Sequence, residues 1–325
     1  MDLAATALPY AVPMRTRFRG ITVREGVLIE GPAGWAEFCP FPEYDDAEAA
    51  RWLATAVEQA TVGWPEPVRE RIPVNATVPA VDPERAHAIV AASGCGTAKV
   101  KVADHADSLA EDLERVAAVR DALGPEGRIR VDANARWDVD GAVAAIRALD
   151  RAADGLEYVE QPCATVEELA AVRRRVDVRI AADESIRRAE DPLAVAEARA
   201  ADVAVIKCTP LGGVRRALEI AEACGLPCVV SSALETSVGL AAQLALAGAL
   251  PELDFACGLG TITLFETDVV PDADSLRPVA GHLAVPRTPP VPDPARIPPM
   301  SPQRAAWWRD RMTRCAALLE GSPRR

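Results

Sequence analysis

Residues 97–104 read TAKVKVAD, with Gly96 just before them. Alternating apolar positions and β-branched valines mark a short strand. Lys99 and Lys101 stand two apart, and the two-residue period of a strand turns both ammonium groups to the same side. Two like charges on a strand that otherwise reads as buried call for compensating charge nearby.

The same grammar recurs outward from this stretch. From about residue 71 a short β-branched run, a polar residue or two and a cap lead each time into an alanine-rich amphipathic helix. The strand candidates are IPVNATV (72–78), AKVKVA (98–103), RIRVDAN (128–134), LEYVEQP (156–162), VRIAADES (178–185), VAVIKCT (203–209), PCVVSSA (227–233) and FACGLG (255–260). Their spacing of roughly 25 residues is what a strand, two short loops and a helix consume. Asp82-Pro83 and Asp191-Pro192 read as helix starts, Thr165 with Glu168 as a capping box, and Gly94 and Gly225 as helix ends. About eight βα units in succession predict an α/β fold, a TIM-type (modified β/α) barrel. No GxGxxG follows the first strand, which removes the main support for a dinucleotide-binding sheet.

The flanks differ in style. RGITVREGVLIEGPAGWAEF (19–38) reads as antiparallel strands with glycine turns, and DDAEAARWLATAVEQAT (45–61) as a helix with an acidic start. Beyond Gly260 runs a proline-rich tail, RTPPVPDPARIPPM (287–300), and then a last helix around PQRAAWWRDRMTRCAALLE (302–320). The expected organisation is an N-terminal capping segment (1–70), the barrel (71–260) and a C-terminal segment (261–325) that completes an α+β capping domain. GSPRR (321–325) is expected to fray.

With half of its 325 residues apolar the chain can fill such a core, and its formal net charge of −12 disfavours nucleic acid and anionic membrane surfaces as partners. SVGLAAQLALAGALP (237–251) is too short for a membrane span and reads as a core helix. Asp2, Pro9 and Pro13 spoil a signal peptide, so a cytoplasmic protein is expected, a monomer or small homo-oligomer. The eight scattered cysteines form no CxxC pair and read as buried free thiols; Cys224 and Cys228 lack the partners of a zinc site. His87, His105 and His282 are isolated. The sequon at Asn75 has meaning only in a secreted chain.

Chemistry gathers where the strands end. RIRVDAN ends in Asp132 and Asn134, LEYVEQP in Glu160, VRIAADES in Asp183 and Glu184, and VAVIKCT in Lys207. A barrel converges such ends on one mouth. Asp132, Glu160 and Asp183 supply hard oxygen ligands, a set that suits Mg²⁺, with Mn²⁺ as a substitute. A lone acid there is more often a cap or a salt-bridge partner, and Lys99 alone could snorkel at the surface. Charges in the order Lys-Asp-Glu-Asp-Lys on five consecutive strands are harder to explain that way. The metal, and Lys99 beside Lys101, would press toward a neutral amine within the pair. A lysine acting as a base near neutrality must fall from about 10.4 to about 7–8, worth roughly 3–5 kcal/mol.

The order KxK, Asp, Glu, Asp, Lys resembles the enolase superfamily in its muconate lactonising branch, over nearly the whole chain. The resemblance implies Asp132, Glu160 and Asp183 as Mg²⁺ ligands, with Lys99, Asn134 and Glu184 beside them. It also implies Lys101 and Lys207 as acid-base residues on opposite faces of a small carboxylate substrate. SSALETSVGLA (231–241) and CGLGT (257–261) are similar to the o-succinylbenzoate synthase family, especially its short actinobacterial members. Ser231, Ser232, Gly258 and Gly260 would then make room for a ring and offer donors to a succinyl carboxylate, and Phe18, Arg19 and Ile21 would close over the site. DFACGLG lacks the Asp-x-Asp that dipeptide epimerases of the superfamily use for an amine. The expected reaction is a syn dehydration through an enediolate in menaquinone biosynthesis. N-acylamino acid racemisation, muconate-type cycloisomerisation and, from a different class, a non-catalytic metal-binding barrel are the alternatives.

Overall fold

The computed structural model describes residues 7–188 and 191–321; the expectations attached to Asp2 and to fraying at 322–325 fall outside them. Seven parallel strands, Ala76–Val78, Thr97–Lys101, Arg128–Asp132, Tyr158–Glu160, Ile180–Ala182, Val203–Ile206 and Cys228–Val230, pair each with its neighbour in sequence. Their short, β-branched, doubly buried character is that of parallel sheets covered by helices. The register sets Lys101 opposite Asp132, and Asp132 opposite Glu160, so neighbouring strands end level.

Two of the expected strands differ from their reading. FACGLG forms no full strand. It closes the ring through single bridges, Ser231 to Gly258 on one side and Val74 to Cys257 on the other, backed by Gly258 N to Val230 O at 2.8 Å and Cys257 N to Pro73 O at 2.7 Å. Gly258 and Gly260 weaken a regular ladder, and the chain turns into a 3-10 helix at Gly260–Leu264. IPVNATV splits at Val74: Arg71–Pro73 pairs antiparallel with His282–Ala284 outside the barrel, and Ala76–Val78 enters it.

The helix signals hold with one exception. Asp82 accepts from Arg85 N, Thr165 and Glu168 form the reciprocal box, and Gly94 and Gly225 take left-handed φ of 66° and 60°. Asp191-Pro192 opens no long helix. Asp191 binds Leu193 N in a turn, and only Ala194–Glu197 follows. The apolar helix Ser237–Ala249 is buried on nearly every residue, as a core helix should be. Among the described residues no helix is long and apolar enough to cross a membrane, and all eight cysteines are free.

At the N-terminus Leu8–Phe18, Ile21–Gly31 and Gly34–Phe38 form an antiparallel sheet. Pro9 and Pro13 sit in its edge strand, where a missing N–H is tolerated. Helix Asp46–Thr61 and the C-terminal helix Pro302–Gly321 pack on this sheet, with the Phe38 and Trp308 rings edge to face at 6.0 Å. The hairpin between the first two strands turns at Arg19 and Gly20, both at positive φ, as a tight two-residue loop requires. Its tip overhangs the C-terminal ends of the barrel strands.

Candidate active site

Beneath that tip lies a narrow cavity. The hairpin contributes Phe18 and Arg19, and the strand ends contribute Lys99, Lys101, Asp132, Asn134, Asp183 and Lys207. The seventh strand end and the closing segment add Ser231, Ser232 and Gly258. Ile21 packs against the core instead. Gly260 stays off the wall, close under Asn75 O, where a Cβ would approach to 3.1 Å. Gly258 is fixed by close approach, since a Cβ there would lie 2.5 Å from Ser231 Oγ.

The three acids are almost wholly buried, and each grips an ammonium group. Lys99 Nζ lies 2.9 Å from Glu160 Oε2 and 3.7 Å from Asp132 Oδ2. Lys101 Nζ donates to Asp132 Oδ2 and, at 2.7 Å, to Asn134 Oδ1. Lys207 Nζ reaches Asp183 Oδ2 at 2.6 Å. Glu184 stands behind, accepting from Asn134 Nδ2 at 3.2 Å and from Arg187 Nη2 at 2.6 Å. Burial without these pairings would be prohibitive for either sign of charge.

The fields are uneven. Burial works against the Lys99 ammonium, yet Glu160 and Asp132 outweigh it and hold its pKa above the usual lysine value. For Lys101 burial wins over Asp132, Lys99 adds to it, and the pKa is lowered. Glu160 is pushed up to about 7, by burial first and then by Asp132. Asp132 and Asp183 are held low despite burial, the first by Lys101 and Lys99, the second by Arg187 and Lys207.

Among the described residues no three Asp, Glu, His or Cys side chains stand ready as an ion cage; Asp132, Glu160 and Asp183 each bind a lysine ammonium. The donor set nevertheless fits a hard divalent cation: three buried carboxylates on neighbouring strand ends, with no sulfur or imidazole among them.

Several lining or supporting residues escaped the sequence reading. Thr77 lines the cavity with its buried hydroxyl unpartnered. Arg187 donates Nε to Asp183 Oδ1 at 3.0 Å. Gln161 accepts from Asp183 N at 2.9 Å and donates to Ser185 Oγ at 2.7 Å, which fixes the backbone beneath Asp183. Thr261 bonds Ser232 Oγ at 2.6 Å, and Ala233 and Leu234 complete the wall.

Comparison with known proteins gives the family. The family model described as Enolase C-terminal domain-like matches residues 82–289, and the one described as Enolase N-terminal domain-like matches residues 10–60. The o-succinylbenzoate synthase of Thermobifida fusca is 66% identical over 87% of this chain and 88% of its own length. That of Mycolicibacterium smegmatis is 58% identical over 95% of this chain and 94% of its own. The crystal structure of 2-chloromuconate cycloisomerase from Rhodococcus opacus superposes with a TM-score of 0.75 at 24% identity, covering 90% of this chain and 96% of that one, a likeness of fold alone. The chain belongs to the enolase superfamily and, within it, to the o-succinylbenzoate synthase family of lyases.

Proposed function

We propose that the protein catalyses the syn dehydration of 2-succinyl-6-hydroxy-2,4-cyclohexadiene-1-carboxylate to 2-succinylbenzoate, in the cytoplasm and as a step of menaquinone biosynthesis. Residues 71–260 carry the chemistry, and 1–70 with 261–325 cap it. The observation that carries this reading is geometric: Lys101 and Lys207 enter one cavity from strand ends that also carry Asp132 and Asp183.

Asp132, Glu160 and Asp183 would hold Mg²⁺, or Mn²⁺ in its place, which supplies positive charge against the negative charge that develops on the substrate carboxylate. The Lys101 amine takes the proton from the carbon next to that carboxylate. Lys207, as an ammonium, stabilises the same developing charge from the other face. The Lys101 ammonium then returns its proton to the departing hydroxyl on its own face, water leaves, and the ring becomes aromatic. Lys99, Asn134 and Glu184 hold these groups in place. Ser231, Ser232 and Gly258 face the succinyl arm, and Phe18 and Arg19 exclude water from above.

The test is ultraviolet-monitored conversion of the cyclohexadiene acid with Mg²⁺, beside polarimetry on N-succinyl amino acids. Lys101→Ala should lose about 10²–10⁴-fold or more in turnover while keeping fold and ion binding. Racemisation without dehydration would overturn the assignment, and indifference of both activities to Lys101→Ala would remove the base from its role.

A further inference from the structure

The wall formed by Ser231, Ser232, Ala233 and Leu234 is held from behind by the capping sheet. Arg24, in strand Ile21–Gly31, is 1% exposed. Its Nε donates to Leu234 O at 2.8 Å, and its Nη2 donates to Ala233 O at 3.3 Å and to Cys39 O. One guanidinium thus pins two successive carbonyls of the wall to the cap. The same guanidinium lies 4.4 Å from the Phe41 ring centroid, and that of Arg19, at the hairpin tip, lies 4.3 Å from it.

Glu37, in strand Gly34–Phe38, takes the other end of the loop. It accepts from Thr236 N at 3.1 Å, Thr236 Oγ1 at 2.5 Å, Gly239 N at 2.9 Å and the Tyr10 hydroxyl. Thr236 is the N-cap of helix Ser237–Ala249, yet its own side chain caps nothing. A carboxylate from another layer satisfies the free N–H groups there. A Cβ at Gly239 would stand 2.8 Å from Glu37 Oε2, so glycine is what admits the carboxylate so closely. Between the two anchors Glu235 turns inward and accepts from Ala233 N at 2.7 Å and Gln243 Nε2 at 2.8 Å.

Apolar packing would join the two layers at less cost than buried charge. What directional bonds to charged groups add is placement of particular backbone atoms. We propose that Arg24 and Glu37 are positioning residues for the substrate, making the capping sheet and the Ser231–Leu234 wall one unit that fixes the pocket for the succinyl arm. This rests on the dehydratase reading above and names a determinant of specificity outside the barrel.

The experiment compares wild type with Arg24→Lys, which keeps the charge but loses the fork, and with Thr236→Val, which deletes one hydroxyl bond to Glu37. Inhibition constants are measured for 2-succinylbenzoate, which carries the arm, and for benzoate, which lacks it, beside KM and kcat. In Arg24→Lys, KM and the 2-succinylbenzoate constant should rise about tenfold, the size of one hydrogen bond to a charged group. The benzoate constant should stay within about twofold and kcat within about threefold. Thr236→Val should show the same selectivity at smaller size, and it carries the test if Arg24→Lys does not fold. Constants that are unchanged, or that rise equally for both inhibitors, overturn the proposal. A wild-type protein that fails to dehydrate the cyclohexadiene acid overturns the functional reading instead.

Discussion

Arg187 donates its Nη1 hydrogen to the Tyr44 hydroxyl at 3.0 Å while its Nε holds Asp183. The cap thereby touches the partner of a proposed metal ligand. Arg19 Nη2 donates to the same hydroxyl at 3.3 Å, so the hairpin tip shares the contact.

Removal of this hydroxyl alone is a clean perturbation. The Tyr44 ring packs on Phe41 at 5.5 Å and on Trp52 at 6.1 Å, contacts that phenylalanine keeps. Tyr44→Phe should cost about 0.5–1.5 kcal/mol of stability in urea denaturation. It should also weaken the calorimetric affinity for Mg²⁺ and lower kcat/KM by about tenfold, because Arg187 is freed to rotate away from Asp183. Unchanged ion affinity and kcat/KM would make the contact structural only.

Lys99 and Glu160 form a buried pair, with Asp132 the second carboxylate near the ammonium at 3.7 Å. Lys99→Met should destabilise the ion-free protein by up to about 3–5 kcal/mol, since Glu160 must then either stay charged without its ammonium or take up a proton. Adding Glu160→Gln to the same chain should recover most of that loss, and the coupling is read from a double-mutant cycle in urea with a chelator present. Excess Mg²⁺ should narrow the deficit of the single variant by neutralising Glu160 in the lysine's stead.

The difference between what could and could not be read beforehand has a physical basis. Lys99, Lys101, Asp132, Glu160, Asp183 and Lys207 were legible because strand period and strand ends are local properties, and a barrel maps each end onto one mouth. Arg187 was hidden: three or four residues after Asp183 and Glu184, it reads as an ordinary helix-surface arginine, and only the tight turn of Glu184–Arg187 aims it back. Arg24 stands beside Glu25 in a half-polar stretch, Thr22–Gly26, and so reads as an outward-facing strand residue. It is buried because the barrel's 233–234 turn lies against that face, a fact no local pattern carries. FACGLG reads as a strand by composition, but its glycines leave it only the bridges that complete the ring.

Thr77 is the opposite case, a residue whose sequence context is uninformative because threonine is a normal strand former. Thr77 lines the cavity, and its hydroxyl is buried without a partner, an expensive state unless a ligand supplies one. Thr77→Val keeps the branched shape and should leave stability unchanged or raise it by up to about 1 kcal/mol in thermal or urea denaturation. Substrate KM should rise by about tenfold if the hydroxyl bonds the bound carboxylate. A loss of stability with an unaltered KM would mean that the hydroxyl serves the fold.

The Glu37 anchor has a pH signature of its own. Burial pushes its pKa above the ordinary glutamate value, with Glu235 acting in the same direction, against the lowering effect of hydrogen bonds from Thr236 and Tyr10. The folded protein therefore keeps this proton to higher pH than the unfolded chain, whose value lies near 4.3. Between the two values the folded state binds more protons, so stability falls as pH rises. The contribution is fully present below the unfolded value and is lost as pH passes through the raised folded one. Glu37→Gln does not titrate, so its stability relative to wild type should climb across that window and run parallel outside it, in urea denaturations from about pH 4 to about pH 8. Parallel curves throughout would mean that the carboxylate binds its proton equally in both states, and that its bonds to Thr236 and Gly239 fully offset its burial.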